Sequence, residues 1–464
     1  MIFNSWSFVF FFVIVCAVHW GLRSHNLRHI WLLSASYLFY GWWDWYFLGL
    51  IIAVSLLAYG AALLLVAVPA HKKAILWVAI TGMLAVLGVF KYFNFFIAGL
   101  MPLLVAFGVH HDILLQNVIL PVGISFYVFQ SISYVVDVSS GRIAADRSVI
   151  RVMLYIAFFP QLVAGPIVRA AQFFPQLGCF RHFSKRSFYW GMRLVLLGLV
   201  YKILIADNLT PFIDPVFDNI ANYDRMSLIG ALVGFHVKIY FDFAGYSTIA
   251  IGVAYMLGFH LPRNFKFPYS APNPTEFWHR WHISLSQWFR DYLFIPLGGR
   301  GSGFTVYSRN LMLTMVLAGL WHGAAVGFVL WGCGHGLLLI AHKFVMAHKI
   351  SRAVPRIVSF AFTQLCVLVL WSGFRLSDLD SLMVFWTRVG RADPLDGGEA
   401  FLGVGSICLF LVPLIADHVL GTVRASQRIP TVPTPLFWLL CGIVVALIFL
   451  AYPVQSPHFI YFQF

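Results

Sequence analysis

The chain has 464 residues, of which 61% are hydrophobic and only 10% are charged, and its mean hydropathy is +0.84. Soluble domains carry roughly 25% charged residues, so this composition excludes a water-soluble fold and indicates a helical membrane protein. The net charge of +14 does not indicate a nucleic-acid partner, because the basic residues lie in short loops, where the positive-inside rule and anionic membrane lipid account for them.

The first apolar segment, residues 6–22, is long enough to cross the hydrocarbon core of a bilayer. No Lys or Arg precedes it and no small-residue cleavage site follows it, so we expect a retained transmembrane helix rather than a signal peptide. Arg23 and Arg28 follow directly, which predicts a cytoplasmic location for this end and a periplasmic N-terminus.

Apolar runs recur along the rest of the chain, separated by short polar or Gly- and Pro-containing segments. We expect about 11 to 14 hydrophobic helices, some of them re-entrant. The candidate segments are 6–22, 30–49, 50–69, 74–90, 94–108, 113–136, 149–165, 187–205, 227–258, 308–320, 323–346, 354–373, 401–421 and 434–452. No internal repeat or polar linker is apparent, so we predict an all-α, polytopic membrane protein with a single domain over residues 1–464.

Four polar residues lie within or beside apolar runs, namely Gln130, Asp137, Gln161 and Asp242. Each one alone is most simply a packing hydrogen bond, but together they indicate a polar channel through the helices. The sequence contains no GxSxG elbow and no GxxxxGK[ST] loop, so it lacks the usual motifs of serine hydrolases and P-loop ATPases.

One segment, residues 264–300, combines aromatic and polar residues. Its prolines exclude a regular helix at the start. From Thr275 onward we predict an amphipathic helix, with Thr275 as the N-cap and Glu276 in the first turn. Such a segment cannot face lipid, so we expect it at the interface or lining a wet cavity inside the protein.

His279 and His282 are spaced to share one face of that helix. The spacing is compatible with a metal site, but the two-iron histidine-box enzymes of membranes need many more histidines than this single HxxH. We therefore predict no metal, and we favour histidine as a general base or acyl acceptor, because its pKa lies near the working pH.

The stretch GLWHGAAVGFVLWGCGHG (319–336) holds two further histidines, His322 and His335. His322 lies at the junction of two apolar runs, where neighbouring glycines make a break in the helix easy. A packing histidine bonded to a backbone carbonyl is the simpler alternative. We favour a functional role for His322, because ionisable groups inside membranes are costly and usually functional.

The C-terminal tail, residues 453–464, reads PVQSPHFIYFQF. The basic stretch 423–428 predicts a cytoplasmic loop before the last span, so the tail is expected in the periplasm. The aromatic residues are typical of an interfacial belt; the alternative is an aromatic plug that presents the hydroxyl of Tyr461.

Six stretches follow one another as they do in bacterial membrane-bound O-acyltransferases (MBOAT). They are LPVGISFYVFQSISYVVDV, FFPQLVAGPIVR, YFDFAGYSTIAIG, TEFWHRWHISLSQWFRDYLFIPLGG, GLWHG and the terminal FIYFQF. The chain resembles this family over nearly its whole length, and most closely the branch that acetylates alginate. One departure is His279, where relatives often carry arginine.

The resemblance implies the MBOAT fold, a ring of helices around a thin centre with a tunnel from the cytoplasm to the outer face. It implies catalytic roles for His322 and for the second motif histidine, His282, and it makes Tyr461 an acyl relay. The candidates for lining the tunnel are Gln130, Gln161, Asp242, Arg290 and Trp321.

The implied function is transfer of acetyl from cytoplasmic acetyl-CoA across the bacterial inner membrane, for O-acetylation of an exported polysaccharide, alginate or a similar exopolysaccharide. Acetyl-CoA is the acyl donor, and no cofactor is expected. A periplasmic acetyltransferase of the SGNH type, acting on the glycan, is the expected partner.

Several alternatives stay open. The acceptor could be peptidoglycan or cellulose, or the transferred group could be D-alanine destined for teichoic acid. From other classes, the chain could be a transporter or scaffold of a polysaccharide secretion complex, or a diiron desaturase with bound iron.

Overall fold

The computed structural model describes residues 1–107, 119–299, 301, 303–348, 354–391, 404–426 and 434–451. All regular elements among these residues are helices, which confirms the all-α prediction. In chain order the α-helices are α1 (Trp6–Gly21), α2 (His25–Gly41), α3 (Leu48–Ala67), α4 (Lys72–Ala106), α5 (Ile124–Ser139), α6 (Val149–Ala157), α7 (Phe159–Leu162), α8 (Ala170–Leu177), α9 (Lys185–Leu199), α10 (Asn208–Asp218), α11 (Arg225–Met256), α12 (Pro274–Arg280), α13 (Ile283–Phe289), α14 (Gly303–His322), α15 (Val326–Ala347), α16 (Arg356–Arg375), α17 (Leu379–Gly390), α18 (Val404–Ser426) and α19 (Thr434–Leu450).

Two π-helical segments extend α-helices without a break. Val200–Asp207 joins α9 to α10, and Arg290–Phe294 follows α13. Single-turn π-helical bulges are frequent at functional sites, and Arg290–Phe294 belongs to the polar segment in which the sequence predicts a cavity wall.

Six helical stretches within the described residues are long and apolar enough to cross a membrane. They are Trp45–Ala67, Pro69–Ile97, Lys185–Asp218, Arg225–Met256, Val326–Ala347 and Arg356–Arg375. Shorter apolar helices lie at Trp6–Gly21, Ile407–Gly421 and Cys441–Leu450. The chain is therefore a polytopic, multi-pass membrane protein, as its composition predicts.

One pair of predicted segments is wrong. Lys72–Ala106 form a single helix, α4, which joins residues 74–90 to most of residues 94–108, because the polar residues Lys91 and Asn94 do not break a helix. Residue 108 lies outside the described residues. Polarity alone does not end a helix; loss of the backbone N–H or a left-handed residue does.

The chain divides into two compact units. The first comprises Met1–Val195 and Ile249–Pro262, and the second comprises Leu196–Thr248 and Arg263–Phe464. The prediction of a single domain stays a prediction.

Aromatic packing forms the core of the first unit where α1, α2 and α7 meet. The ring of Phe39 lies 5.9 Å from Phe11 and 5.5 Å from Phe159, centroid to centroid. Serine caps fix where the first two helices begin, because the side chain of Ser5 accepts from the amide of Phe8 and that of Ser24 from the amide of Leu27.

Candidate active site

The polar segment of the second unit folds into two short helices rather than one. Asn273 caps α12, because its side chain accepts from the backbone N–H of Glu276 at 2.9 Å. The predicted cap, Thr275, is wrong: Pro274 occupies the first helical position, which suits its missing N–H and fixed φ, and so moves the cap to the residue before it.

The single helix predicted from Thr275 is also broken, at His282. This residue has φ 39° and ψ 58°, in the left-handed region, and besides Phe267 it is the one non-glycine residue with positive φ in the described part of the chain. The chain is fixed at this corner because the amide of Ile283 donates to the carbonyl of Asn264 at 2.9 Å. The predicted sharing of one helix face by His279 and His282 is therefore wrong.

His282 is buried, with 1% of its surface exposed. Its imidazole meets Phe243 edge-on at 4.6 Å and lies 6.0 Å from the indole of Trp321, centroid to centroid. Burial lowers the pKa of His282 to about 3. The ring is therefore neutral at physiological pH.

His322 is the last residue of α14, and α15 begins at Val326. The structure thus contains the helix break predicted at this residue. The two helices pack closely across it: a Cβ on Gly319 would lie 2.1 Å from the carbonyl oxygen of Phe328, and a Cβ on Gly332 would lie 2.4 Å from that of Met315. Glycine at both positions lets the helix backbones touch, which holds the end of α14 in place.

Aromatic rings surround the imidazole of His322. Its centroid lies 4.9 Å from Phe374, 5.1 Å from Trp331 and 4.9 Å from Trp321. These rings restrict the orientations that the imidazole can adopt.

His322 lines a cavity of about 360 Å³ although only 4% of its surface is exposed. The polar residues of the lining are Thr275, His279, Ser286, Gln287, Arg290, Tyr307, Thr314 and His322, and the apolar ones include Trp278, Phe289, Leu311 and Met315. Mostly apolar walls with a few convergent polar groups are typical of a small-molecule site. A histidine at such a wall can remove a proton from a bound hydroxyl or accept an acyl group.

The other predicted site residues of the second unit lie in different environments. Arg290 lines the cavity, and its Nε donates to Asp291 at 2.7 Å. The indole of Trp321 lies 6.0 Å from the imidazole of His282 and 4.9 Å from that of His322, centroid to centroid. Asp242 is buried in α11 and pairs with Lys202 at 2.8 Å, and it is not part of the cavity wall.

Gln130 and Gln161 are buried in the first unit. Gln161 donates from Nε2 to the carbonyl of Tyr155 at 2.7 Å, in keeping with the packing alternative. Tyr461 lies outside the described residues. The tunnel and the roles assigned to these residues stay predictions.

His335 packs among rings instead of lining the cavity. Its centroid lies 4.8 Å from Trp331 and 5.1 Å from Trp278, and its plane is parallel to that of Phe277. Of the two histidines in residues 319–336, one lines the cavity and the other is a packing histidine.

Sequence reasoning missed some residues of this unit. Lys202 lies in an apolar run, and its ammonium group bridges Asp207 at 2.6 Å and Asp242 at 2.8 Å. The signal was present, because an intramembrane lysine needs a carboxylate partner. The aromatic neighbours of His322 on α15 and α16 gave no signal, since nothing in the sequence separates them from ordinary apolar residues.

The sequence profile of the membrane-bound O-acyltransferase family, MBOAT, matches residues 37–377, which include His282 and His322. The chain is 40% identical to a probable alginate O-acetylase of Azotobacter vinelandii over 82% of this chain and 76% of that protein. It is 41% identical to the probable alginate O-acetylase of Pseudomonas putida, over 82% and 78% of the two chains. A peptidoglycan O-acetyltransferase of Helicobacter pylori is 30% identical, also over 82% and 78%.

Proposed function

The chain belongs to the membrane-bound O-acyltransferase family, and from that premise we propose that it is the membrane O-acetyltransferase for an exported polysaccharide, most closely alginate. It takes acetyl from acetyl-CoA in the cytoplasm and passes it across the bacterial inner membrane. The higher identity to probable alginate O-acetylases than to a peptidoglycan O-acetyltransferase supports alginate or a similar exopolysaccharide as the acceptor.

One observation carries the proposal: the imidazole of His322 lies in the wall of a cavity, at the break between two closely packed helices. Acetyl transfer needs a group that takes a proton from the attacking hydroxyl or carries the acetyl itself. A histidine held among aromatic rings beside a partly polar cavity is suited to either task.

In one route His322 acts as a general base. The acceptor oxygen attacks the thioester carbonyl carbon while His322 takes the hydroxyl proton, the carbon–sulfur bond breaks, and the proton passes to the CoA thiolate. In the covalent route an imidazole nitrogen attacks the thioester carbon, the carbon–sulfur bond breaks, and the imidazole proton passes to the CoA thiolate. The acceptor oxygen then attacks the acetylimidazole, the carbon–nitrogen bond breaks, and the hydroxyl proton returns to the imidazole.

We infer a positioning role for His282, because its ring contacts Trp321 rather than the cavity. The contact fixes the indole that precedes His322 in the chain, and through it the end of α14. A direct catalytic role for His282 stays a prediction.

We also propose an orientation in the membrane, an acyl relay and a partner. Both termini lie in the periplasm, Tyr461 is the first outward acyl acceptor, and a periplasmic SGNH-type acetyltransferase completes transfer to the glycan. The basic loops that support this orientation follow the positive-inside rule.

Complementation tests the proposal in cells. An alginate-producing Pseudomonas strain that lacks its own probable alginate O-acetylase receives this chain, and NMR measures the acetyl content of the secreted alginate. We expect acetylation to be restored by the wild type and by His335→Leu, which replaces a packing imidazole, and not by His322→Ala. Alginate that stays unacetylated with well-expressed wild type would contradict alginate as the acceptor, and acetylated peptidoglycan in the same cells would favour the second acceptor.

A further inference from the structure

Two basic segments of the first unit meet, one after α1 and one before α9. The Nη1 of Arg28 donates to the carbonyl of Arg181 at 2.5 Å, and its Nε donates to the carbonyl of Leu22 at 2.8 Å. The same guanidinium lies 4.3 Å from the ring centroid of Phe180. These contacts join two segments that the positive-inside rule assigns to the cytoplasm.

A cavity of about 200 Å³ lies at this junction. Its lining includes Trp20, Arg181, His182, Ser184, Ser187 and His260. The lining also includes Tyr255, so it offers a guanidinium, two imidazoles and three hydroxyls, and it contains no carboxylate among the described residues. Such a set of donors is complementary to an anion.

Arg181 has donor capacity that the described residues do not use. Its Nε is buried without a hydrogen-bond partner among them, and its Nη2 reaches Oε1 of Gln176 only at 3.5 Å. Burial lowers the pKa of this guanidinium, and the described residues that line the cavity include no carboxylate. A buried, unsatisfied cationic donor indicates a missing acceptor.

Local geometry keeps the cavity in shape. His260 is fixed at both backbone groups by Gln176, which accepts from its amide at 2.8 Å and donates to its carbonyl at 3.0 Å. Gly258 lies in the wall with φ +86°, and a Cβ there would lie 3.1 Å from the Trp20 ring and 3.3 Å from the Arg181 Cδ. Only glycine suits that conformation and that spacing.

Exposed aromatic residues lie close along the chain to the residues that line the cavity. Phe183 and Trp190 each have 50% of their surface exposed, and Arg193 lies 5.3 Å from the Trp190 ring. Aromatic and basic residues together are typical of the level of the lipid headgroups. The phosphate groups of anionic lipids lie at this level.

We propose that this cavity binds the phosphate group of an anionic phospholipid from the cytoplasmic leaflet, with the guanidinium of Arg181 as its principal donor. Basic pockets between membrane helices on the cytoplasmic side commonly hold such headgroups. The proposal rests on the first unit alone and does not depend on the acetyltransferase function.

Native mass spectrometry of the full-length protein in neutral detergent tests the proposal. Phosphatidylglycerol, phosphatidylcholine or inorganic phosphate is added to wild type, Arg181→Gln and Arg186→Gln. Arg186 is the matched control, because it is an exposed arginine of the same basic segment that does not line the cavity.

We expect wild type to retain phosphatidylglycerol in preference to phosphatidylcholine, Arg181→Gln to weaken that binding about tenfold, and Arg186→Gln to behave as wild type. Equal retention of the two lipids by wild type would overturn the proposal, and so would equal binding by the two variants. Inorganic phosphate that displaces phosphatidylglycerol at equal concentration would overturn the lipid as the source of the phosphate. The wild-type comparison stands even if Arg181→Gln fails to fold.

Discussion

The imidazole of His282 lies 6.0 Å from the indole of Trp321, and Trp321 directly precedes the cavity-lining His322. His282 is thus connected to His322 through the side chain and backbone of Trp321. Under the proposed function, His322 performs the chemistry and His282 supports it through Trp321.

Replacing His282 distinguishes a positioning role for this residue from a direct catalytic role. We expect His282→Asn to fold, because asparagine tolerates left-handed φ, and to slow acetyl transfer, because the contact with Trp321 is lost. The pKa of about 3 means that the His282 ring is neutral over the working pH range. Its replacement therefore removes no charge, and the midpoint of the acid limb of the pH–rate profile should not move. A shifted midpoint would contradict a positioning role.

The left-handed corner also predicts a difference between two substitutions at the same position. His282→Val should unfold at a lower temperature than His282→Asn, because a β-branched side chain is strained at φ 39°. We expect its free energy of unfolding to be lower by about 1–2 kcal/mol. Thermal unfolding of both variants in detergent measures the difference. Equal stabilities would show that the corner changes conformation to fit the new side chain.

Close packing of α14 on α15 makes Gly319 intolerant of a side chain. The Cβ of Gly319→Ala would lie 2.1 Å from the Phe328 carbonyl oxygen, so the helices must separate. We expect a loss of stability of about 1–3 kcal/mol and reduced acetyl transfer, measured by thermal unfolding and product formation. Gly60→Ala in α3 is the control, since its Cβ has no neighbour within 4 Å, and it should be neutral or stabilising.

The buried ion cluster of the second unit predicts a strong effect at Lys202. Its ammonium group is shared by Asp207 and Asp242, and all three side chains are at most 5% exposed. Lys202→Met leaves two buried carboxylates without their cation and should lower the free energy of unfolding by about 3–5 kcal/mol. Folded yield and thermal unfolding measure this loss.

A more exposed pair serves as the control for that prediction. Arg142 pairs with Asp137 at 3.1 Å, but its side chain is 54% exposed, so Arg142→Met should change stability by about 1 kcal/mol or less. Equal losses for Lys202→Met and Arg142→Met would contradict the importance of burial.

The tail hypothesis depends on one hydroxyl. If Tyr461 carries acetyl outward, Tyr461→Phe should abolish glycan acetylation while leaving protein abundance and membrane insertion intact. NMR of the secreted polysaccharide measures the outcome. Unchanged acetylation would reduce the tail to a docking element.

Sequence patterns predict this fold well where apolar runs and glycines decide it. The break at His322 follows from the glycines around it, and the spanning helices follow from the length of the apolar runs. The break at His282 was not predictable, because the apolar periodicity continues from Phe277 to Leu285 through the corner. The corner depends on a long-range bond, from the amide of Ile283 to the carbonyl of Asn264, which no local pattern records.

The candidate site was predictable in its histidines and less so in its surroundings. A histidine in an apolar, glycine-rich run is costly to place inside a membrane, which is why the sequence singles out His322 as a candidate. Its difference from His335 is a matter of tertiary packing, since one imidazole lines a cavity and the other stacks on Phe277.

Under the proposed function, the imidazole of His322 is required for acetyl transfer. Membranes containing wild type, His322→Ala or His335→Leu are incubated with acetyl-labelled acetyl-CoA and an acceptor glycan together with its periplasmic acetyltransferase, and labelled glycan is measured. We expect label in the glycan with wild type and with His335→Leu, and none above background with His322→Ala. Label at the wild-type rate with folded His322→Ala would contradict a catalytic role for His322.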